Sequence, residues 1–429
     1  MRVQDFYEQI FVHFPKISID SRNVSHNVLF FALKGARFNG NEYALLALEQ
    51  GAAYAIVDDE SIVNTHVICV PDVLIFLQQL AAYHREQTNI PIIAITGTNG
   101  KTTVKELVAT VLSQKYSVTY TQGNLNNHIG VPLTVLSISQ NTDIAVIEMG
   151  ANHMGEIAFL CDIVKPNFGI ITNVGKAHLE GFGSFENVVS TKTELYKSVA
   201  LQNGKLFVDA DNAILMEAAK NIQSKILYST QSRSVYAYAI PKHDGVCAAF
   251  DFYSDSSCVS VQSQLFGEYN SKNMLAAATI GRFFDVPFEK IAYALQNYTP
   301  SNNRSQIVKT QKNTLILDAY NANPSSMNAA ITYFNSVVFE PKGAIIGEML
   351  ELGDAHNEEH AIVQTLLLSS SVSFVYFVGN WQHTNDPRCK FFANSKELFV
   401  YLRKHHVQKS LILIKGSRGI ALENVIELL

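Results

Sequence analysis

The stretch "IIAITGTNGKTTVKEL", Ile92 to Leu107, decides how the chain is built. "PIIAIT" is a short apolar run with the character of a buried strand, and "TTVKELVATVLS" carries a helical spacing, so Gly97 and Gly100 fall in the turn between them. The general nucleotide loop has Gly, four residues, then Gly-Lys-Ser/Thr, which would put its first glycine at position 95, where this chain has Ile95. The shortened loop still leaves unpaired backbone N–H groups at a helix N-terminus, whose dipole favours an anion. Lys101 adds a full positive charge, and the Thr102 hydroxyl can hold a magnesium ion. A structural turn with a solvated lysine is the alternative. The coincidence of strand, Gly-x-x-Gly-Lys-Thr and helix favours an ATP site, its cradle made of Gly97, Thr98, Asn99, Gly100, Lys101, Thr102 and Thr103.

Outward from this loop, strands alternate with helices: "DIAVIEM", "GEIAFLCDIV", "FGIITNV", then a helix around "FENVVSTKTELYKSVA". Such alternation predicts an α/β fold with a central, doubly wound, mostly parallel sheet. "SVYAYAI" to "VSVQSQLFG" is richer in strands and reads as an antiparallel edge, followed by the small-residue helix "NMLAAATIGRFF". Polar, proline-bearing breaks at "HREQTNIPII" and "NYTPSNNRSQ" divide the chain into units 1–88, 89–298 and 299–429. The first is a small α/β domain; the last, with "NTLILDA", "KGAIIGEM", "SFVYFVG" and "SLILIKG" each followed by a helical pattern, is a second, Rossmann-like α/β domain.

At 429 residues the chain exceeds what one hydrophobic core organises. A 47% apolar and 17% charged composition with net charge −5 suits a soluble enzyme and argues against a nucleic-acid partner. Five scattered cysteines without a CxxC pair read as reduced and mostly structural. The N-terminus lacks the apolar core of a signal peptide, and no run of eighteen uncharged apolar residues follows, so the expected compartment is the cytoplasm, without membrane insertion.

Other polar residues fall at predicted strand ends. Glu148 follows "DIAVI" and His178 follows "GIITNV", which puts both on the rim that carries the phosphate loop. A carboxylate and an imidazole there suit a hard cation bridging phosphates, or else a helix cap and a surface turn. The amides of "NLNNHIGVPL" either close turns or read a polar ligand. Asp318 ends "LILD" and either contacts a ribose or caps the following helix.

Together these residues resemble the Mur ligase family, ATP-dependent amide-forming enzymes that build the peptide stem of bacterial peptidoglycan. "TGTNGKTT" is similar to that family's phosphate loop, and the resemblance continues through "NLNNHIGVP", "EMGANHMGEI", "NVGKAHLEGFGS", "TKTELY", "GEYNSKNMLAA", "NNRSQ", "DAYNANPSSM", "GEMLELGDAHNEEH" and "KGSRG". Within the family, "DAYNANP", "EMGANHMGEI" and "GEMLELG" look like the member that adds D-alanyl-D-alanine to UDP-N-acetylmuramoyl-tripeptide. The neighbouring member, which adds diaminopimelate or lysine to the dipeptide precursor, usually has a His for the second Asn of "DAYNANP" and an Asp-Asn-Pro-Arg type motif that this sequence lacks.

The resemblance implies ATP, two magnesium ions and an acyl-phosphate intermediate. It makes Lys101, His178 and Lys192 catalytic, with Thr102, Glu148, His178 and Lys192 around the metals and Lys192 carried as a carbamate. It gives Asn273, Arg304 and Asp318 to the nucleotide, although Tyr269 stands where some relatives have a His. Ser21 and Arg22 of the "DSR" element fall in the UDP-sugar domain, and Asn127 and His128 in the loop that meets the UDP-muramoyl substrate. Lys415, Ser417 and Arg418 receive no role. The split motif set predicts a chain that is open without nucleotide and hinges near residues 298–303; a monomer is the separate expectation for its assembly.

Overall fold

The strand Ile92–Thr96 is buried along its whole length. Ile92 and Ala94 face one apolar cluster with Ala145 and Ile147, whereas Ile93 and Ile95 face another with Val104, Leu107 and Val108. Apolar residues on both sides of the pleat are what a sheet covered on both faces requires. Ile95, at the position where a longer loop would have its first glycine, is therefore a core strand residue. The computed structural model that carries these elements describes residues 1–177, 179–242, 245–300 and 303–429.

Four parallel strands, Ile17–Ser18, Leu29–Phe31, Tyr54–Val57 and Val67–Cys69, form a small N-terminal sheet in that order. The helix Val73–Gln87 follows, and Phe76, Leu77 and Leu80 on it join a cluster that runs from Phe6 to Ala219. Arg85 fixes the end of this helix, donating to the Val164 carbonyl at 2.9 Å and to Asn167 Oδ1 at 3.0 Å. The N-terminal unit thus shares its core with the next one.

The rest of the described chain builds one 15-stranded sheet. At one end the order is Val118–Tyr120, Ile144–Glu148, Ile92–Thr96, Phe168–Ile171, Lys205–Asp209 and Lys225–Ser229, all parallel. At the other, Cys389–Phe392, Phe374–Val378, Lys342–Gly347, Leu411–Lys415 and Thr314–Asp318 are again parallel. The antiparallel strands expected at an edge lie instead in the middle. Ala237–Lys242, Cys247–Ser254 and Ser257–Phe266 extend the first parallel part, and Gln306–Lys309 joins them to the second. The joint itself is the pair Leu265–Gln306 with a Phe266 N–H bond to the Ser305 carbonyl at 2.9 Å. Most of the remaining outer edge of Ser257–Phe266 is packed by the helix Phe288–Asn297, whose Gln296 donates to the Ser260 carbonyl.

One further expectation changes, and another holds in part: the cysteines are free as expected, but only one of them is buried. Leu411–Lys415 is followed by short 3-10 turns, Arg418–Ile420 and Leu422–Leu428, because Ala421 takes a left-handed φ of +54° that no continuing helix allows. All five cysteines are free; Cys161 is buried, Cys247 and Cys389 are half-buried, and Cys69 and Cys258 lie at the surface.

Candidate active site

The phosphate loop takes its shape from two glycines. Gly97 has φ +142°, and a Cβ there would come within 2.1 Å of Thr172 Oγ1. Gly100, at φ +78°, lies against Asn273, whose Oδ1 would sit 2.7 Å from an added Cβ. Only glycine meets both demands at once, a left-handed backbone and no side chain. The neighbouring strand end then pins the loop: Thr98 N–H donates to the Asn173 carbonyl at 2.9 Å, Asn99 N–H to Asn173 Oδ1 at 3.0 Å, and Thr172 Oγ1 to the Asn99 carbonyl at 2.6 Å. The helix Lys101–Leu112 starts immediately after, and Lys101, Thr102 and Thr103 of its first turn, where N–H groups have no partner within the helix, line the cavity.

A cavity of about 630 Å³ opens here. One wall holds Thr98 to Thr103, Asn126 to His128 and Glu148; the other holds Arg304, Asp318 and Lys415, with Asn273 between. Parallel register explains this convergence: Glu148 pairs with Ile95 one step from the loop, and Asp318 pairs with Lys415 at the corresponding rim of the second sheet region. Both rims are carboxyl ends of parallel strands, where open α/β sheets bind ligands.

Lys101 Nζ donates to the carbonyls of Gly97 and Thr98 at 2.8 and 3.0 Å, folded over the loop it belongs to. Burial lowers its pKa to about 8, with Glu148 acting in the opposite direction and Arg304 adding to the fall. Thr102 Oγ1 donates to Glu148 Oε1 at 3.2 Å. The other carboxylate oxygen, Oε2, is buried without a hydrogen-bond partner. An orphaned buried carboxylate oxygen beside a hydroxyl is a donor set that suits Mg2+, which takes few protein ligands and keeps water and phosphate oxygens for the rest. Among the described residues no three His, Cys, Asp or Glu side chains gather as a metal cage. His178 lies outside the described residues.

Lys192, on the helix Phe185–Leu201, is 2% exposed and does not line the cavity. Its Nζ is 3.3 Å from the Ala151 carbonyl and 5.6 Å from the centre of the Phe182 ring. Burial, then the positive charge of Lys101, lower its pKa to about 7. Such an amine has a large neutral fraction at pH 7 to 8, far more than an exposed lysine, and the neutral form is the one that reacts with carbon dioxide.

On the second wall, Arg304 stacks on Tyr320 with 3.6 Å between the guanidinium and the ring centre, and its Nε is buried without a partner. Asp318 accepts from Ser305 N–H at 2.9 Å and from Lys415 Nζ at 2.5 Å. Lys415, 1% exposed, is a site residue that sequence reasoning left without a role. Ser417 accepts from Leu350 N–H, and Arg418 donates to the Tyr320 hydroxyl at 3.3 Å. Asn127 uses its side chain to accept from Ile129 and Gly130 N–H at 3.1 and 2.9 Å, which starts the helix Gly130–Leu136, although it also borders the cavity with His128. Ser21 and Arg22 are not brought to this cavity; Arg22 is exposed and paired with Asp20 at 2.7 Å.

The two walls touch. Asn99 Nδ2 donates to Ser325 Oγ at 2.9 Å, Asn323 Nδ2 donates to Asn99 Oδ1 at 2.8 Å, and Lys176 pairs with Glu359 at 3.3 Å. The arrangement observed has the two walls in contact. These amide and hydroxyl bonds hold the second sheet region against the phosphate loop, and of the expected hinge, residues 301 and 302 lie outside the described residues.

Residues 13–95 match the model of the Mur ligase family, catalytic domain; residues 95–281 match the Mur ligase middle domain; and residues 303–418 match the Mur ligase, glutamate ligase domain. The UDP-N-acetylmuramoyl-tripeptide–D-alanyl-D-alanine ligase of Bacillus subtilis (strain 168) is 33% identical over 98% of this chain and 94% of its own. A crystal structure of MurF from Acinetobacter baumannii superposes with a TM-score of 0.85 at 29% identity, covering 96% of this chain and 92% of that one. MurF ligase from Thermotoga maritima in complex with ADP shares the fold, with a TM-score of 0.84 at 24% identity over 97% of both chains. With family models matching from residue 13 to 418 and a relative matched along nearly its full length, the chain belongs to the Mur ligase family.

Proposed function

We propose that the chain is an ATP-dependent ligase that joins D-alanyl-D-alanine to UDP-N-acetylmuramoyl-tripeptide, acting as a monomer in the cytoplasm. The observation that carries the ATP chemistry is the single cavity in which the phosphate loop and Glu148 of one parallel region meet Arg304 and Asp318 of the other. Relatives matched over nearly the whole chain bear the name of this ligase, which favours the tripeptide and dipeptide substrates over addition of a third amino acid. No helix among the described residues is long and apolar enough to cross a membrane.

In this reading the units 1–88, 89–298 and 299–429 serve as UDP-sugar, ATP and ligase domains. The loop from Gly97 to Thr103 holds the phosphates through its backbone N–H groups, and Lys101 exchanges its loop carbonyls for phosphate oxygens. Arg304 approaches the phosphates, Asp318 the ribose and Asn273 the adenine. Thr102, with Glu148 beside it, would hold one Mg2+; Glu148 and His178 would hold a second, with Lys192, as a carbamate, helping to hold magnesium there. When bound, these ions neutralise charge around the transferred phosphoryl group.

The substrate carboxylate attacks the γ-phosphorus, giving an acyl phosphate and ADP. The dipeptide amine then attacks the acyl carbon and phosphate leaves. Ser21 and Arg22 would meet the uridine end, with Asn127 and His128 nearer the muramoyl group. The deciding assay measures ATP-dependent phosphate release with UDP-N-acetylmuramoyl-tripeptide and D-alanyl-D-alanine, against the dipeptide precursor with single amino acids. Release only in the second arm overturns the proposal.

A further inference from the structure

We propose that Asn126 is the positioning residue that orients the Glu148 carboxylate for a divalent cation, an inference that rests on the nucleotide reading of the same cavity. Glu148 is 1% exposed, and its two oxygens are treated differently. Oε1 accepts from Asn126 Nδ2 at 2.7 Å and from Thr102 Oγ1 at 3.2 Å, whereas Oε2 is buried with no partner. Fixed donors on one oxygen stop the carboxylate from rotating and leave the other as a free ligand for a hard cation. Thr102, which spends its proton on Oε1, keeps its lone pairs for the same ion.

Asn126 is itself held by its backbone. Its N–H donates to the Asn124 carbonyl and its carbonyl accepts from Gly150 N–H, both at 2.7 Å. A Cβ on Gly150 would lie 3.0 Å from the Asn126 amide, so the glycine lets this amide rest against the strand end. An amide donor is also the suitable type: it steers the carboxylate without a positive charge that would compete with the cation. The adjacent Asn127 has a different task, capping a helix, so two neighbouring amides of one sequence run do separate work.

The test is a titration of the full chain with Mn2+ in the presence of ADP, free Mn2+ being followed by electron paramagnetic resonance. Asn126→Ala is expected to weaken Mn2+ binding roughly 10- to 100-fold, with ADP binding in EDTA unchanged. In a Glu148→Gln background the same substitution should cause no further loss, because it acts through that carboxylate. Equal Mn2+ affinity in Asn126→Ala and the parent, or the same loss in both backgrounds, overturns the inference. Should Asn126→Ala fail to fold, judged by its thermal midpoint without metal, Asn126→Ser, too short to reach Glu148, is read by the same criteria. A parent chain that takes up no Mn2+ with ADP removes the metal reading of the cavity and this inference together; parent uptake with no effect of Asn126 removes the inference alone.

Discussion

Lys192 is a long cationic side chain folded inside the protein with one carbonyl contact, and its pKa falls from 10.5 to about 7. The sign of the consequence follows from proton counting. Between pH 7 and 10.5 the unfolded chain holds a proton on this residue that the folded chain lacks, so its cost to stability is full below about pH 7 and fades as pH rises to 10.5. In buffer free of carbon dioxide, where the amine is unmodified, Lys192→Met, similar in shape and uncharged, is therefore expected to raise the thermal midpoint at pH 6.5 and to give much less gain at pH 9.5. A pH-independent difference would contradict the buried amine. Lys101 differs, since its nitrogen reaches only the carbonyls of its own loop. Lys101→Ala should abolish ATP-dependent phosphate release while the thermal midpoint does not fall; retained turnover would refute its phosphate role.

A helix start serves two purposes at Asn323. Its Oδ1 accepts from Ser326 N–H at 2.9 Å while Ser326 Oγ accepts from Asn323 N–H at 3.1 Å, a reciprocal cap with Pro324 in the first helical turn of Pro324–Ser336. Asn323→Ala should cost about 1 kcal/mol for the lost cap, by urea denaturation, on top of the lost donation to Asn99, and Asn323→Asp, which caps as well as asparagine but cannot donate to Asn99 Oδ1, should recover the capping part alone. Equal losses would mean that the cap is not what matters. At this scale the sequence is readable wherever the geometry is local. The phosphate loop is legible because strand, glycines and helix lie within sixteen residues of one another, and Glu148 because it ends an apolar run. The bond between Asp318 and Lys415 joins residues 97 positions apart through the register of two parallel strands, which no spacing reveals. Asn126 and Asn127 are alike in sequence, and only the fold separates the amide that meets Glu148 from the one that caps a helix.

Across the whole molecule the alternation of strands and helices announces the parallel regions, whereas their fusion into one sheet hangs on a single residue pair that sequence pattern cannot display. Contact between the halves has an apolar part, Phe266 buried in the cluster of Ile331 and Phe334 with its ring 5.3 Å from that of Tyr333, and a polar part at the cavity, Asn99 with Ser325 and Asn323 and the ion pair of Lys176 with Glu359. Asn99→Ala combined with Glu359→Gln is expected to increase the radius of gyration in solution scattering relative to the parent; identical curves would mean that other contacts hold the halves together. The joint also dictates the kind of movement available. A ladder that continues through Leu265–Gln306 resists sliding along the strands yet yields to creasing across them. Arg304 and Ser305 border both that crease and the cavity, so a second half that turned there like a page on its spine would keep these two residues nearest the fold line and carry Asp318 and Lys415 through the larger arc.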